Sequence, residues 1–335
     1  MDRGLTLTRR QLQALLDAAA QECGRQQCEE AIGLLEEAVR MQPGNAWLHY
    51  QIGFCHSGGC RDHRLVHSDV AETYLHHALA LAGAAAEPLF RAKILNALGN
   101  LRGGRLSDAA ALREAIACHQ EAAEIYRRSN EFDDWAREEF NQANNWCDLP
   151  EAEFPEKWTE AVKHYENALQ VRTRAKDPQR YAATVMNLGT ALRQLRLGNR
   201  AANILKAMHC YRMALRVYTI QAFPAQFANL SNDMGNACLT YQAVRGSLEK
   251  RYAGYALRHF ERALEIWTRA GYPYYHALAQ YNRGCAYLSL QAVPGSVEKA
   301  LICLTDAYES ALSCGHPEMA RLVMTQVHQV AFPPV

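Results

Sequence analysis

One pattern constrains this chain more than any other: an alanine, a bulky residue four positions on, and a second alanine three further. It occurs as Ala31-Leu35-Ala38, Ala71-Leu75-Ala78, Ala115-His119-Ala122, Ala161-Tyr165-Ala168, Ala207-Tyr211-Ala214, Ala256-Phe260-Ala263 and Ala300-Leu304-Ala307. Steps of four and three return to one face of an α-helix. That face has small residues where a second helix must come close and one large residue between them. The second alanines recur every 40 to 49 residues, the period of stacked helical repeats rather than of a globular core. A length of 335 residues would otherwise suggest about two domains. Here it reads as a single array, 1–335, of about seven helix pairs.

A second signature precedes most copies: a short helical motif with glycine at a fixed place, around Gly53, Gly99, Gly189, Gly235 and Gly284, with Ala143 standing there once. Glycine inside a helix costs about 1 kcal/mol against alanine, so its recurrence implies close helix–helix contact. Prolines give the same phase independently. Pro88, Pro178, Pro224, Pro273 and Pro317 each lie ten residues after a second alanine, and the first four lie eleven residues before the next glycine. Proline fits the first turn of a helix and ends what precedes it. The A helices, those carrying the glycine, are therefore expected near 8–23, 45–58, 88–102, 132–147, 178–195, 224–242 and 273–291. Their B partners are expected near 27–41, 66–82, 109–129, 157–175, 202–221, 250–270 and 297–314. Turn-forming segments separate A from B, including QAVRGS at 242–247 and QAVPGS at 291–296, which match at five of six positions. A last helix, 317–330, reads as a cap, because the Ala331-Phe332-Pro333-Pro334 tail cannot continue the pattern.

These residues resemble the tetratricopeptide repeats (TPR). Ala31, Leu35, Ala38 and Pro43 fit that family's A-x3-F-x2-A…P pattern, and a glycine-bearing helix with Gly53 follows. Later units are similar to the extended variety of about 42–46 residues found in kinesin-light-chain-like repeats and in many bacterial proteins. RVYTIQAFPAQFANLSNDMGNA, 216–237, is the segment most like the bacterial group. The resemblance implies an all-α fold, a right-handed α-solenoid of antiparallel helix pairs (a TPR superhelix) with a C-terminal capping helix. It also implies that the A helices line a concave surface.

The phase of the A helices places a row of amides on that surface: Asn96, Asn100, Asn141, Asn144, Asn187, Asn236 and Asn282, with Asp233, Arg193 and Tyr281 among them. An amide both donates and accepts hydrogen bonds, so such a row can pair with the backbone of an extended peptide while reading little of its sequence. These ten residues are the candidate partner-binding set. The opposing interpretation is that the asparagines bond neighbouring helices and hold the stack together. The expected function is a non-enzymatic scaffold or adaptor that binds a partner protein or extended peptide. Two alternatives remain open, a metal- or redox-linked accessory protein and a self-associating structural module.

Composition narrows the rest. A net charge of +1 offers no basic footprint for nucleic acid. No apolar run reaches the length of a membrane span. The start, MDRGLTLTRR, is charged with no signal-type apolar stretch behind it, and a cytoplasmic location is expected. Phosphate-loop, nucleophile-elbow and HExxH motifs are absent. The paired acids Asp133-Asp134 and Glu138-Glu139 read as a helix start and a solvated face.

The segment CHSGGCRDHRLVH at 55–67 contains Cys55, Cys60, His63 and His67 at spacings a zinc site could use. Cys55 also stands where Ala191, Ala237 and Ala286 stand in other repeats, a small-residue place, and no resident cofactor is favoured. Cys118, Cys210 and Cys303 share one B-helix phase with His164 and His259, which suggests a packing site. Cys23 and Cys28 flank the first interhelical turn close enough to pair, yet a reducing cytosol keeps such thiols free.

Overall fold

The alanine pattern produces seams with almost no side-chain bulk. The computed structural model describes residues 2–24, 27–58, 68–83, 87–106, 108–246 and 251–331, and in it all fourteen signature alanines are 0% exposed. The bulky residue between each pair is buried too, and in five of the seven copies it faces a glycine of the helix before it. A methyl group added at Gly53 would stand 2.8 Å from Leu75, at Gly99 2.6 Å from His119, at Gly189 2.7 Å from Tyr211, and at Gly284 2.9 Å from Leu304. At Gly235 it would collide with the Phe260 ring. The two sequence signatures are thus the two halves of one contact. Glycine recurs because the ring or branched chain of the next helix occupies the space of its missing side chain.

The chain divides into two compact units, Met1–Glu160 and Ala161–Val335. The first contains α1 (Asp2–Gly24), α2 (Cys28–Met41), α3 (Ala46–His56), α4 (Ser68–Ala82), α5 (Pro88–Gly103), α6 (Ala109–Arg128) and α7 (Phe132–Asp148). Helix α8 (Lys157–Leu169) runs from the first unit into the second. The second continues with α9 (Pro178–Gln194), α10 (Arg200–Ala214), α11 (Pro224–Arg245), α12 (Arg251–Leu264), α13 (Pro273–Leu288), α14 (Ser296–Ser313) and α15 (Pro317–Ala331). Among the described residues these fifteen helices are the regular structure, and no strand occurs. Within each unit a helix packs on its chain neighbours, and A helices also touch the next A helix: α5 with α7, α9 with α11, α11 with α13. That is the packing of an α-solenoid. The last helix closes the second unit by burying Met319, Ala320 and Val323 against Leu304, Ala307 and Ala311.

Helix starts follow the sequence signals closely. Proline opens α5, α9, α11 and α13, where the missing N–H is one the helix cannot use. Elsewhere a side chain accepts from the first turn: Asn45 from Trp47 N, Asp108 from Ala110 and Ala111 N, and Asn199 from Ala202 N. In the twin turn segments, Gly246 and Gly295 have φ of 78° and 76°, the left-handed region that a side chain disfavours. No described helix is long and apolar enough to cross a membrane.

The B-helix ends differ from expectation. Helices α8, α10 and α12 stop at Leu169, Ala214 and Leu264, short of the expected 175, 221 and 270. The reason is a recurring place four residues after the second alanine, which sequence patterning passed over. Tyr218 and Trp267 occupy it in buried form, and Arg172 stands there in the repeat before. Tyr218 donates its hydroxyl to the Gln179 carbonyl at 3.1 Å, Trp267 stacks on Tyr275 at 5.0 Å, and Arg172 donates to Thr184 Oγ1 at 3.0 Å. Arg172 and Trp267 reach over the following A helix and Tyr218 over the preceding one, and the backbone turns there instead of continuing.

The seam has a direct test. Gly235→Ala is expected to cost about 1–3 kcal/mol, because the buried Phe260 ring cannot withdraw. Gly254→Ala, on a helix position with open space around it, is expected to gain about 0.5–1 kcal/mol. Urea unfolding measures both, and effects of the same sign would remove the seam argument.

Candidate functional site

In the first unit the amide row is a connected chain. Asn141 Nδ2 on α7 donates to Asn100 Oδ1 at 3.1 Å, and Asn100 Nδ2 donates to Asn96 Oδ1 at 3.2 Å, both on α5. Asn96 Nδ2 then donates to the Glu138 carboxylate of α7 at 2.7 Å. His119 Nδ1 of α6 lies 2.7 Å from the other Glu138 oxygen, and Arg137 Nε donates to the carboxylate at 3.3 Å. A carboxylate only accepts, so His119 donates from Nδ1. Glu138 is 0% and His119 1% exposed. This corrects the reading of Glu138-Glu139 as a solvated face: Glu138 is the buried anchor of the row, and Glu139 is buried as well. The charge tolerates burial because three donors surround it. Asp133 and Asp134 do sit in the first turn of α7, as expected.

His119 explains how the anchor arises. It takes the bulky place of the signature, filled elsewhere by leucine or an aromatic ring. One residue therefore fills the seam at Gly99 and presents an N–H to Glu138. The odd His in an otherwise apolar column was the only sequence signal for this cluster.

Beside the chain lies a cavity of about 330 Å³ lined by Tyr50 and Phe54 of α3 and by Asn96, Ala97, Asn100 and Leu101 of α5, with Arg105 at its edge. Tyr50 stacks with Phe54 at 6.1 Å and meets Phe90 edge-on at 5.7 Å. Phe54 and Asn100 are exposed. Burial raises the Tyr50 phenol above its ordinary range, partly offset by Arg137. Arg102 and Arg105 both bond Glu72, each within 2.8 Å, and outweigh burial to hold its carboxyl below the usual value. The cavity thus combines apolar rings with amide donors and acceptors. Asn144, the other candidate of this unit, is half-buried on α7.

In the second unit the candidates fall into smaller groups. Asn282 Nδ2 on α13 donates to Asn232 Oδ1 on α11 at 2.9 Å, and Asn232 is buried. Arg193 of α9 bonds the Tyr211 hydroxyl, while its buried Nε has no hydrogen-bond partner among the described residues. Asp233 of α11 is pushed up to about 6 by burial, with the Arg193 charge working against that rise. Tyr281 packs into the cluster with Leu304 and Val323, and its phenol, bonded to Cys285, is pushed up to about 12 mainly by burial. Asn187 and Asn236 are half-buried, on α9 and α11.

Of the four zinc candidates, Cys55 alone lies within the described residues. Cys55 is 1% exposed, inside the core cluster formed by α1, α2 and α3. Cys60, His63 and His67 lie outside the described residues. Among the described residues no three His, Cys, Asp or Glu side chains gather closely enough to hold a metal ion. Cys210 and Cys303, at the repeated B-helix phase, are buried and Cys118 is half-buried, with all three thiols raised by burial.

Two expectations follow from these networks. Glu138→Ala should lower stability by about 3–5 kcal/mol, since it strands His119, Asn96 and Arg137; Asn141→Ala, at the outer end, should cost about 0.5–1 kcal/mol. Chemical denaturation compares them. Asp233 should titrate near 6 by carbon-13 NMR, and Arg193→Met should raise its midpoint further, since the guanidinium is what holds it down. A folded-state value above the ordinary 3.8 means that ionising Asp233 costs stability as pH rises from 3.8 through about 6. A midpoint near 3.8 in the wild-type protein would contradict its burial.

No protein-family model matches the chain, and no curated protein matches it by sequence. In structure it is similar to the apo form of RapI, at 12% identity and a TM-score of 0.58, over 85% of this chain and 98% of that one. It is similar to aspartyl phosphate phosphatase F from Bacillus subtilis, at 15% identity and a TM-score of 0.53, over 90% of this chain and 75% of that one. The C-terminal part of a TPR repeat-containing protein from Cytophaga hutchinsonii gives 14% identity and a TM-score of 0.51, over 86% and 99% of the two chains. At such identities the likeness concerns the fold, and it agrees with the glycine–alanine seams. The chain has the tetratricopeptide-repeat fold, an all-α solenoid of helix pairs.

Proposed function

We propose that this chain is a non-enzymatic scaffold that holds an extended peptide or protein segment against the amide-bearing face of its A helices. The observation that carries the reading is the cavity of about 330 Å³ in the first unit, where Asn96 and Asn100 stand beside Tyr50 and Phe54. Rings accept an apolar side chain, and adjacent amides accept and donate to the backbone that bears it. Asn100 uses its oxygen and one N–H within the row, and being exposed it keeps a second N–H for a ligand carbonyl. The buried Glu138 anchor serves binding by holding these amides in one orientation before a ligand arrives, which reduces the ordering cost. In the second unit Asn236 and Asn282, both half-buried, carry amides of the same kind on α11 and α13. The structurally similar proteins share the helical-repeat fold, and a fold of this kind presents extended surfaces suited to holding a partner.

An array of immobilised peptides of about a dozen residues tests this reading. The wild-type chain should bind a subset of the array, and Asn141→Ala, Asn187→Ala and Asn282→Ala combined should weaken that binding at least about tenfold, at about 0.5–1.5 kcal/mol per lost hydrogen bond. Far-ultraviolet circular dichroism should show helicity unchanged. Undiminished peptide binding by the helical triple variant would overturn the assignment to the A-helix face.

A further inference from the structure

The first three helices share a core cluster in which three cysteines take part: Cys28 and Cys55, each 1% exposed, and Cys23, half-buried at its margin. Cys55 stands two residues after Gly53, where Ala191, Ala237 and Ala286 stand after their own glycines, each fully buried. Helix α3 therefore has a thiol where α9, α11 and α13 have a methyl group. That thiol meets another. Cys23 Sγ, in the last turn of α1, lies 3.6 Å from Cys55 Sγ on α3, within sulfur hydrogen-bond distance. Cys28 is nearer to Cys23 in sequence, and the fold brings Cys55, 32 residues away, against it.

We propose that Cys23 and Cys55 form a redox-modification site: a two-electron oxidant, either a peroxide or a small-molecule disulfide, converts the pair into a disulfide that fastens α1 to α3. The order of events follows from exposure. Cys23 is the half-buried sulfur and meets the oxidant, while Cys55 waits behind it as the resolving thiol. With hydrogen peroxide, the Cys23 thiolate attacks one oxygen, the O–O bond breaks, and hydroxide leaves to become water. The Cys55 thiolate then attacks the sulfenic sulfur, the S–O bond breaks, and a second water departs. Two thiols and one peroxide give one disulfide and two waters, with the sulfurs losing two electrons in total. With oxidised glutathione, Cys23 displaces one glutathione thiol and Cys55 displaces the second.

A covalent S–S bond is about 2.05 Å long, so the sulfurs must approach by about 1.5 Å. Rotation of the Cys23 side chain, in the last turn of α1, is required to supply that movement. The crosslink would join the first helix to the one that carries Tyr50 and Phe54. The proposal stands independently of peptide binding.

The test uses the full chain with Cys60→Ser, because Cys55 and Cys60 fall in one tryptic fragment, 41–61. The protein is treated with hydrogen peroxide or oxidised glutathione, alkylated, digested and analysed by mass spectrometry. The expected product links the fragments containing Cys23 and Cys55, with two thiols lost per chain and a thermal midpoint raised by a few degrees until dithiothreitol is added. Cys55→Ala, which gives α3 the residue of α9, α11 and α13, should fold normally and abolish both changes, while Cys28→Ser should leave them intact. A dominant Cys23–Cys28 link, or Cys23 trapped as sulfenic acid or mixed disulfide with Cys55 still alkylated, would overturn the proposal.

Discussion

The contact on which this structure depends is a glycine facing a large buried side chain between two alanines. It lets paired helices approach until the backbone of one meets the side chain of the other, and it recurs from Gly53–Leu75 to Gly284–Leu304. Because each seam is local, the repeats tolerate large changes elsewhere. The A–B turns vary in length, and residues on the open helix faces are largely unconstrained. The only residues that must agree are those that share a seam, which accounts for a strong pattern alongside identities of 12–15% with similar folds.

The same contact admits polar chemistry at one point. With His119 in the bulky place, the seam at Gly99 is filled and a donor is delivered to Glu138. The carboxylate then orients Asn96, and through it Asn100 and Asn141. The distinction between amides that hold the stack and amides that bind a ligand is too sharp for this geometry. An amide has two N–H groups and an oxygen with two lone pairs, so it can bond its neighbour and still present a face. Inner members of the row, such as Asn232, are buried, whereas Asn100 is exposed. Position along the chain of hydrogen bonds, more than residue type, separates the two roles.

Helix starts were legible because their causes are local. Proline cannot lie deep in a helix, and Asn or Asp can satisfy the first free N–H groups, so Pro88, Pro178, Asn45 and Asp108 marked their boundaries to within a residue or two. The ends of α8, α10 and α12 were not legible. What stops them is a Tyr, Trp or Arg packing on a neighbouring A helix, a contact between residues 8 to 39 apart that has no local composition signal. Glu138 shows the same limit more sharply. Its charge and its neighbour Glu139 argue for solvent, and burial becomes tolerable only once His119, Asn96 and Arg137 converge from three places in the chain.

The sequence by itself determined the repeat, its phase, and the helices that carry it, because a seven-fold pattern of small and large residues has only one regular packing solution. It also placed the amides on the A helices. Tertiary structure decided which amides bond one another, that aromatic rings and amides line a cavity beside α3 and α5, and that Cys23 lies against Cys55. The physical reason is the same in each case. Periodicity specifies which face of a helix a residue occupies, while a hydrogen bond or a thiol contact depends on distances of a few ångströms between faces, and only packing sets those.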